Sequence, residues 1–507
     1  MSPDALLDQD FGLVADLIHG YAQERPQHPA LIHEARVLTY GELDSLMDRV
    51  AASLQRDGIH TGAVIAICAA SCVEYGAIFL GALRAGVAVA PLAPSSTAQA
   101  LATMLADCGA KILFLDDAIS AELAGQELPA GLRQQPLSMR GWLAPEGAKP
   151  KPVQIDPAAP FNIIYSSGTT GTPKGIVQSH RMRWAHVHRA ALARYDRTAV
   201  TICSTPLYSN TTLVSFFPTL ARGGTVVLMA KFDALRFLEL AQRHGATHAM
   251  LVPVQYQRIM DLPQFDRFDL GRFRMKFCTS APFAAALKAD VLKRWPGGLT
   301  EYYGMTEGGG TCILEAHAHP DKLHTVGRPA DKHDIRVIDE TGRELPRGQT
   351  GEVVGHSQAM MTAYHGKPEM TAAAEWHCPD GKRFIRTGDI GRFDVDGFVT
   401  LLDRRKDMII SGGFNVYPSD IEARLREHAA VAEVAVVGMP SARWGETPVA
   451  FVVRRAGADI AANTLRDWLN ASVGKTQRLA ELLYVTELPR NALGKVLKRE
   501  LRDMLRR

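Results

Sequence analysis

Short apolar runs that alternate with stretches of helical periodicity constrain the fold of the first 300 residues more than any other feature. The apolar runs lie at 63–68, 87–92, 161–165, 198–203, 225–229, 248–252 and 275–278. A run that is apolar throughout predicts a strand covered on both faces, because an exposed face would carry a polar residue at every second position. Helices between such strands favour parallel pairing. The sequence therefore predicts an α/β fold with layered, largely parallel sheets.

Two local signals support this pattern. Glu42 stands three positions after Thr39 in a capping-box arrangement, which predicts a helix that begins after Thr39 and ends near Gly58. The most apolar stretch, 77–93, contains Arg84 and is shorter than the about 20 mostly apolar residues that a bilayer span needs. We therefore expect a buried helix and strand there, and no membrane partner.

The pattern becomes β-rich after about residue 323. A Thr-Gly turn within 335–345 and an Asp-Gly turn within 393–402 each separate arms of alternating polarity. Such turns predict hairpins, so this region is expected to form a β-rich, barrel-like subdomain of the N-terminal domain.

A shorter α+β pattern follows Asp403. It consists of a helix at 418–428, two strands, and an amphipathic end with Val496, Leu497, Leu501 and Leu505 on one face. We predict a large N-terminal domain over 1–402, a hinge at 403–407 and a small α+β C-terminal domain over 408–507.

Charge and cysteine content exclude several classes of function. The 57 Lys and Arg residues nearly balance the 54 Asp and Glu residues, so no polyanion-binding surface is expected and nucleic acid is not a predicted partner. The seven cysteines are scattered without a CxxC pair, which favours reduced thiols in the cytoplasm over a zinc site. The first eight residues carry Asp4 and Asp8 and no basic region, so no secretory signal is expected. We expect a monomer or a homodimer.

The segment YSSGTTGTPKG at 165–175 is the strongest chemical signal. Its glycines let backbone N–H groups turn toward an anion, its hydroxyls donate further hydrogen bonds, and Lys174 adds a positive charge. It is not a Walker A loop, because Pro173 precedes the lysine and Gly175 follows it. The predicted phosphate-binding residues are Ser166, Ser167, Gly168, Thr169, Thr170, Gly171, Thr172 and Lys174.

Further motifs follow in a fixed order. They are YGMTE (303–307), TVGRP (325–329), RTGD (386–389), DRRKDMIISGGFNVYPSDIE (403–422) and PRNALGK (489–495). Together with the phosphate loop, they resemble the adenylate-forming superfamily of acyl-CoA synthetases, nonribosomal-peptide adenylation domains and luciferases over nearly the whole chain. The resemblance implies an acyl-CoA ligase that converts a carboxylic acid, ATP and CoA to acyl-CoA, AMP and pyrophosphate through an acyl-adenylate, with Mg²⁺ as cofactor.

The resemblance assigns roles around the nucleotide. It places Tyr303 on the adenine, Thr306 at the α-phosphate and Glu307 on Mg²⁺, which prefers oxygen ligands. The other wall of the adenine site is assigned to Ser280, Ala281 and Pro282. Asp389 is assigned to the ribose hydroxyls with help from Arg404, although by itself it is typical of a turn aspartate.

The C-terminal domain is implied to be mobile. Lys495 is assigned as the catalytic lysine of adenylation, and Lys406 as the hinge residue about which the domain rotates. After rotation, Gly412 and Gly413 would admit the pantetheine arm, because a glycine has no Cβ to obstruct it. Trp444 would line the same tunnel, or else be an ordinary packed aromatic, and Lys475 would contact the nucleotide end of CoA. Asp403 replaces the glycine usual before the hinge, which predicts a stiffer hinge.

The absence of an acid–base pair fits this chemistry. A carboxylic acid with a pKa near 4 is already an anion at neutral pH, so it can attack the α-phosphorus without losing a proton. The reaction needs positive charge around the transition state, which Lys495, Lys174 and Mg²⁺ would supply. A thiol with a pKa near 8.5 then provides enough thiolate to displace AMP.

The acyl pocket is predicted from Tyr208, Ser209, Asn210 and Thr211 together with Gly304 and Met305. Ser209 replaces the histidine that many relatives carry, and Phe414 replaces its glutamate partner, which argues against a benzoate-type gate. Unpaired hydroxyls in a long apolar tunnel would each cost about 1–3 kcal/mol, so we predict a small or medium acid, favouring one with a polar group. The alternative, that these hydroxyls cap a helix and bond one another, stays open.

Two other functions fit the same motifs. One is loading of an acyl group onto the pantetheine arm of a carrier protein, which uses identical chemistry with a different acceptor. The other is an acyl-adenylate-binding protein without catalysis, against which Glu307, Asp389 and Lys495 argue. Pyrophosphate release distinguishes the non-catalytic binding protein from the acyl-CoA ligase and the carrier-protein ligase, which both release it.

Overall fold

The structure, a computed structural model, describes residues 1–166, 174–412, 414–491 and 494–506. The chain forms two compact units. Unit 1 comprises Met1–Leu323, Pro329–Asp334 and His356–Ile385, and unit 2 comprises His324–Arg328, Ile335–Gly355 and Arg386–Arg507.

The helices of the described chain are mostly of two to four turns. They are α1 (Pro3–Leu7), α2 (Val14–Glu24), α3 (Tyr40–Arg56), α4 (Val73–Arg84), α5 (Ala98–Cys108), α6 (Asp117–Glu122), α7 (His180–Arg189), α8 (Asn210–Ala221), α9 (Ala234–His244), α10 (Pro253–Met260), α11 (Ala285–Arg294), α12 (Pro368–Ala373), α13 (Pro418–Arg426), α14 (Ala462–Asn470) and α15 (Lys498–Met504). Short 3₁₀ turns lie at Phe265–Arg267, Pro320–Lys322 and Lys475–Gln477.

The strands, of which β20, β24 and β25 are the longest, are mostly short. They are β1 (Pro29–His33), β2 (Arg36–Thr39), β3 (Val64–Cys68), β4 (Ala88–Leu92), β5 (Ile112–Leu115), β6 (Arg133–Pro136), β7 (Pro160–Ser166), β8 (Lys174–Ser179), β9 (Val200–Cys203), β10 (Thr225–Leu228), β11 (His248–Leu251), β12 (Met275–Cys278), β13 (Gly298–Tyr303), β14 (Cys312–Glu315), β15 (Arg328–Pro329), β16 (Asp334–Ile338), β17 (Gly351–His356), β18 (Ala363–Tyr364), β19 (Glu375–His377), β20 (Arg383–Phe393), β21 (Val399–Arg404), β22 (Ile409–Ser411), β23 (Phe414–Val416), β24 (Val431–Ser441), β25 (Gly445–Arg454) and β26 (Glu481–Tyr484).

Unit 1 contains two layered sheets whose centres are parallel. One has the strand order β14-β13-β12-β11-β9-β10-β1-β2, and its pairs from β1 through β10, β9, β11 and β12 to β13 are parallel. The other has the order β18-β8-β7-β4-β3-β5-β6, with parallel pairs from β7 to β6 and antiparallel pairs at the β8 edge. The predicted α/β class is confirmed, and every apolar run named above forms a strand within two residues of its predicted bounds.

The helix predicted after Thr39 is α3, and its capping box is present. The Thr39 hydroxyl accepts from the N–H of Glu42, and the Glu42 carboxylate accepts from the N–H of Thr39 at 2.8 Å. The apolar face of α3 packs on α4, where Gly81 lets the two helices approach closely. A Cβ at Gly81 would lie 2.6 Å from Cβ of Val50 and 3.1 Å from the carbonyl oxygen of Met47.

Unit 2 contains the β-rich region and the C-terminal α+β pattern. β20 and β21 pair antiparallel around a turn at 394–398, which confirms the second predicted hairpin. The first is a tight turn whose arms form an isolated bridge between Ile338 and Glu344 and an ion pair between Arg336 and Glu344 at 2.9 Å. In the sheet, the neighbour of β16 is β17.

The amphipathic end packs through Val496, Leu501 and Leu505 as predicted, but only part of it is helical. α15 begins at Lys498, so Val496 and Leu497 precede the helix, and Val496 instead forms a bridge with Arg490. The pairing to Arg490 withdraws Val496 from the helix, although its side chain still packs in the apolar cluster around the buried Leu501. In the described part of the chain, no helix combines the length and the apolar character that crossing a membrane requires.

We predict that Gly81→Ala destabilises the protein although alanine favours helices. The added methyl meets a Cβ and a backbone oxygen that cannot move independently, and overpacking of this kind costs about 1–3 kcal/mol. Gly76→Ala is the matched variant on α4, since its methyl meets the flexible end of Leu31 at 2.9 Å. Chemical denaturation should show the larger loss for Gly81→Ala, and equal stability of the two variants would contradict this packing argument.

Candidate active site

The predicted adenine segments of unit 1 lie at the carboxyl ends of neighbouring strands. β12 and β13 are parallel partners, so the residues that follow them, 280–282 and 304–307, leave the sheet at the same edge. This edge is where open α/β sheets bind ligands. Ser280 has a φ of +80°, a left-handed conformation that is rare for a residue with a side chain, and its hydroxyl bonds the hydroxyl of Thr211 at 2.7 Å. Ala281 and Pro282 continue the same segment, and Tyr303 ends β13.

Glu307 lies in a cluster that the motifs alone did not reveal. The phenol of Tyr364 donates a hydrogen bond to Oε1 of Glu307 at 2.8 Å, and the Met361 N–H donates to the Glu307 carbonyl at 2.7 Å. The Lys174 ammonium lies 5.4 Å from the ring centroid of Tyr364. Burial and the neighbouring Glu307 carboxylate raise the pKa of Tyr364 well above its usual range. Tyr364 therefore links the predicted phosphate-loop lysine to the predicted metal ligand.

Most of the predicted phosphate loop lies outside the described residues. This applies to Ser167, Gly168, Thr169, Thr170, Gly171 and Thr172. The strands on either side are described: β7 and β8 pair antiparallel with Ser166 opposite Lys174. Tyr165, just before the loop, donates its phenol proton to Asp107 at 2.6 Å, and Asp107 also pairs with Lys367 at 2.5 Å. The chain on either side of the loop is thus fixed to its surroundings.

The polar residues of the predicted acyl pocket bond one another. Ser209 is the N-cap of α8, and its hydroxyl accepts from the N–H of Thr211 at 3.2 Å. Thr212 bonds the hydroxyl of Thr205 at 2.7 Å and donates to the Pro206 carbonyl at 2.6 Å. The structure thus has the helix cap and internal hydrogen bonds that were the alternative to substrate contact. These hydroxyls do not by themselves require a polar acid.

Gln178 connects this region to the YGMTE motif. Its Nε2 donates to the Thr306 carbonyl at 2.7 Å and to Oδ1 of Asn210 at 3.4 Å. Burial raises the pKa of Tyr208, another predicted pocket residue, and its hydrogen bond with the Ser95 side chain acts in the opposite direction. The other predicted pocket residues, Gly304 and Met305, follow directly after β13, and Met305 packs against the cluster that contains Tyr364.

Unit 2 brings the predicted ribose and lysine residues together. Asp389 and Arg404 are cross-strand partners in β20 and β21, and Nε of Arg404 donates to Oδ1 of Asp389 at 3.0 Å. Lys495 lies on a tight turn in which its N–H donates to Oδ1 of Asn491 at 2.9 Å, while the Asn491 N–H donates to the Lys495 carbonyl at 3.0 Å. Gly494 takes the positive φ of +74° that this turn requires.

Electrostatics couple Lys495 to these residues. Burial lowers the pKa of Lys495 to about 8, and the cations Arg404 and Lys406 act in the same direction. The carboxylates of Asp389 and Asp407 oppose the shift. The predicted catalytic lysine, ribose carboxylate and hinge residue therefore share one electrostatic environment within unit 2.

Asp403 fixes the predicted hinge segment, 403–407, through hydrogen bonds. Its carboxylate accepts from the N–H of Arg404 at 2.7 Å and from the N–H of Ser419 at 2.9 Å. Asp407 binds Arg502 at 2.8 Å. These bonds join both sides of the exposed Lys406 to the helices that follow.

The predicted CoA-binding residues also lie together in unit 2. The Gly412 N–H donates to the Trp444 carbonyl at 2.7 Å, and a Cβ at Gly412 would lie 2.8 Å from the Trp444 ring and 4.0 Å from Thr476. Lys475 begins the 3₁₀ turn that contains Thr476. Gly413 lies outside the described residues. Trp444 therefore rests directly on a glycine whose small size permits the contact.

Comparison with known proteins decides the family. A family model described as an AMP-binding enzyme matches residues 19–365, and a model described as the AMP-binding enzyme C-terminal domain matches residues 420–495. The chain belongs to the AMP-binding enzyme family. This match confirms the resemblance to the adenylate-forming superfamily that the motifs indicated. The CoA ligase relatives also confirm the predicted enzyme class, an AMP-forming acyl-CoA synthetase.

Several relatives align with this chain over almost its whole length. 4-Coumarate–CoA ligase 5 of Oryza sativa subsp. japonica is 33% identical over 96% of this chain and 94% of its own length. The fatty acid–[acyl-carrier-protein] ligase ScoC of Streptomyces coeruleorubidus is 33% identical over 95% of this chain and 94% of its own length. The crystal structure of ATP-bound MatB from Rhodopseudomonas palustris superposes with a TM-score of 0.86 at 30% identity, covering 97% of this chain and 98% of that one.

We predict that adenylation by this enzyme falls as the pH rises through about 8. The predicted role of Lys495 requires its ammonium form, and its lowered pKa of about 8 means that the neutral amine replaces that form above this pH. The test is kcat/KM for ATP in acid-dependent pyrophosphate exchange, which reports the free enzyme. It should be level below pH 8 and decline about tenfold per unit well above it.

Lys495→Arg is the control for this pH profile, because a guanidinium stays charged throughout the range. Whatever activity it retains should be level from pH 7 to pH 9.5. A wild-type profile that stayed level to pH 10 would contradict the environment described for Lys495.

Proposed function

We propose that this acyl-CoA synthetase activates a small or medium carboxylic acid and transfers the acyl group to CoA, with the residue roles assigned from its motifs. The observation that carries the proposal is the shared environment of Lys495, Asp389 and Arg404 in unit 2. It supports an ammonium group near the carboxylate proposed to bind the ribose of ATP. Three further relatives are an indoleacetate–CoA ligase and two feruloyl-CoA synthases, names that support acids of this size.

The first half-reaction joins the acid to AMP. A carboxylate oxygen attacks the α-phosphorus of ATP, the bond to the bridging oxygen of pyrophosphate breaks, and no proton moves. The phosphate loop with Lys174 is proposed to hold the β- and γ-phosphates, Thr306 to contact the α-phosphate, and Lys495 to stabilise the charge that develops there. Tyr303 and residues 280–282 are proposed to enclose the adenine.

Glu307 is the proposed ligand of Mg²⁺. Within the described residues, no group of three or more His, Cys, Asp or Glu side chains is arranged to hold a metal ion. A single carboxylate still fits, because Mg²⁺ is usually bound through one or two carboxylates together with substrate phosphates. Bound in that way, the ion supplies positive charge to the phosphates, and Tyr364 fixes the orientation of the Glu307 carboxylate.

The second half-reaction transfers the acyl group to the thiol of CoA and releases AMP. We propose that rotation about Lys406, between domains 1–402 and 408–507, withdraws Lys495 and presents Gly412, Gly413 and Trp444 to the pantetheine arm. Lys475 is proposed to bind the nucleotide end of CoA. The contact between Gly412 and the Trp444 ring supports a narrow surface suited to a slender chain.

A carrier protein is the second candidate acceptor, and the name of the relative ScoC, a fatty acid–[acyl-carrier-protein] ligase, favours it. Saturable turnover with free CoA would favour CoA as the acceptor.

We further propose a cytoplasmic location, because all seven cysteines are free thiols and six of them are buried. A monomer or homodimer remains the proposed assembly.

The two half-reactions should be separable by mutation. Lys495→Ala should lower acid-dependent pyrophosphate exchange by about 100-fold or more, the usual cost of losing a charge-stabilising donor, while still converting pre-formed acyl-adenylate to acyl-CoA. Gly412→Ala should do the reverse. Its φ of +59° strains a residue with a Cβ, and that Cβ meets the Trp444 ring at 2.8 Å. We expect about a tenfold loss in the thiol step.

Two controls keep this experiment specific. Arg499→Ala removes an exposed cation from the same C-terminal tail, and Gly457→Ala adds a Cβ at a φ of +78° where no atom lies within 4 Å. Both should keep both half-reactions. Survival of pyrophosphate exchange in Lys495→Ala would refute the role of this lysine, and absence of exchange in the wild type with every acid would favour a protein that binds without catalysis.

Tyr364→Phe should weaken the dependence on Mg²⁺. The variant keeps the ring beside Lys174 but leaves Oε1 of Glu307 without its phenol donor, and hydrogen bonds to charged groups contribute about 1.5–3 kcal/mol. We expect the half-saturating Mg²⁺ concentration in pyrophosphate exchange to rise about tenfold. Tyr484→Phe removes a phenol that donates to the Ile460 carbonyl in unit 2 and should leave it unchanged. An unchanged Mg²⁺ requirement in Tyr364→Phe would contradict the positioning role.

A further inference from the structure

Unit 1 contains a buried polar network that the proposed reaction does not use. Asn162 on β7 and Gln178 on β8 are cross-strand partners, and Arg183 lies on α7, the helix that follows β8. Asn162 and Gln178 are 0% exposed, and Arg183 is 1% exposed. We call Asn162, Gln178 and Arg183 the buried network.

The surroundings of the buried network are apolar. The guanidinium of Arg183 lies 5.8 Å from the ring centroid of Phe161 and 5.9 Å from that of Phe217. Burial lowers the pKa of Arg183, and no charged group of the described chain contributes to that shift. Burying polar groups is unfavourable unless hydrogen bonds satisfy them, and apolar side chains of similar volume often give equal stability. Stability alone therefore does not account for three polar residues at this place.

The hydrogen bonds of the buried network have one direction. Nε of Arg183 donates to Oδ1 of Asn162 at 3.0 Å, and a terminal nitrogen of Arg183 donates to Oε1 of Gln178. Nδ2 of Asn162 donates to the same Oε1 at 3.0 Å. A guanidinium has donors only, so Asn162 turns its oxygen to Arg183 and its nitrogen to Gln178. Gln178 in turn presents its oxygen to both.

This orientation directs Nε2 of Gln178 toward the candidate site. Nε2 donates to the Thr306 carbonyl at 2.7 Å and, less closely, to Oδ1 of Asn210 at 3.4 Å. The two lone pairs of Oε1 and the two hydrogens of Nε2 are then all used. With the amide turned by 180°, two oxygens would face each other at Thr306 and donors would face donors at Arg183. Arg183 therefore fixes Gln178 as a donor to Thr306.

The Thr306 carbonyl belongs to the turn that carries the YGMTE motif. The Met305 carbonyl accepts from the N–H of Gly308 at 2.9 Å, and the Glu307 carbonyl accepts from the N–H of Met361 at 2.7 Å. The bond from Gln178 to the carbonyl between them completes three successive fixed carbonyls. The directions of these carbonyls determine how the side chains of Thr306 and Glu307 leave the backbone.

Gln178 lies on the strand that follows the predicted phosphate loop. β8 begins at Lys174, and Gln178 is four residues further along the strand. Residues at even spacing point to the same face of a strand, so the side chains of Lys174 and Gln178 share one face of β8. One hydrogen bond thus joins the residue proposed for the α-phosphate to the strand whose lysine is proposed for the β- and γ-phosphates.

We propose that Gln178 is a positioning residue for adenylation, which holds Thr306 in place for the α-phosphate, and that Arg183 sets the direction of the Gln178 amide. This inference rests on the proposed function, since it uses the role proposed there for Thr306. Neither residue is proposed to touch the substrate. Gln178 acts through the backbone of Thr306, and Arg183 acts through Gln178.

Gln178→Glu separates this role from a purely structural one. The glutamate keeps an acceptor for Arg183 and Asn162, and it is held ionised by the guanidinium, so the Tm should equal or exceed that of the wild type. It has no donor for the Thr306 carbonyl and repels it. The kcat of acid-dependent pyrophosphate exchange should fall about tenfold or more, since a small misplacement of reacting groups can cost about 100-fold. KM for ATP should change less than about threefold.

Two further variants frame this result. Gln178→Met removes the acceptor as well as the donor, so its Tm should fall below that of Gln178→Glu, and its kcat should fall by a similar factor. Gln55→Glu is the matched control in unit 1, because Gln55 accepts from the N–H of Lys151 at 2.7 Å and donates to its carbonyl at 2.9 Å. It loses the same kind of donor far from the motifs and should keep the kcat of the wild type.

A double-mutant cycle tests whether Arg183 acts through Gln178. Arg183→Met should lower kcat in the wild-type background, because the Gln178 amide is then free to turn. In the Gln178→Met background it should lower kcat by less than about twofold, since no amide remains to be oriented; residues that act as a unit are non-additive in this way. Equal losses in the two backgrounds would overturn the role of Arg183.

The outcomes distinguish this inference from the proposed function. If the wild type catalyses exchange and Gln178→Glu keeps its kcat, or loses as much Tm as Gln178→Met does, the positioning role is overturned and the proposed function stands. If the wild type catalyses exchange with no acid at all, the proposed function fails and the positioning role fails with it. Gln178→Glu keeps an acceptor for Arg183, so this test does not depend on whether Arg183→Met folds.

Discussion

Lys495 carries its ammonium group within the field of the Asp389–Arg404 pair, where burial and nearby cations lower its pKa to about 8. Everything proposed for adenylation depends on this positive charge, because a carboxylate nucleophile needs no base and only charge at phosphorus remains to be stabilised. The turn that holds Lys495 is fixed by reciprocal bonds to Asn491.

The fold explains why distant segments act together in each unit. Parallel strands β12 and β13 end at one sheet edge, so Ser280 and the YGMTE motif emerge side by side. The short strand β18 then brings Tyr364 to β8 by antiparallel pairing, which places its phenol on Glu307. In unit 2, the β20–β21 pairing sets Asp389 opposite Arg404. Each polar contact thus follows from strand register rather than from proximity in sequence.

The sequence predicted the strands well because burial on both faces leaves a continuous apolar run that needs no knowledge of neighbours. It did not show where the last helix begins, because Val496 packs with Leu501 as expected but pairs with Arg490 ahead of α15. Among site residues, motifs located the backbone segments but not the partners of their side chains. Ser209 shows this: its hydroxyl caps a helix, which one-dimensional spacing does not distinguish from a pocket wall. Tyr364 was missed because a two-residue strand has no periodicity to detect.

Transfer of oxygen from the acid to AMP tests the central claim most directly. The enzyme would turn over an acid labelled with ¹⁸O in both carboxylate oxygens, with ATP and CoA, and mass spectrometry would follow the label. Attack of the carboxylate on the α-phosphorus predicts one ¹⁸O atom in AMP and none in pyrophosphate. Label in inorganic phosphate, with ADP as the nucleotide product, would mean attack at the terminal phosphorus and would contradict the account.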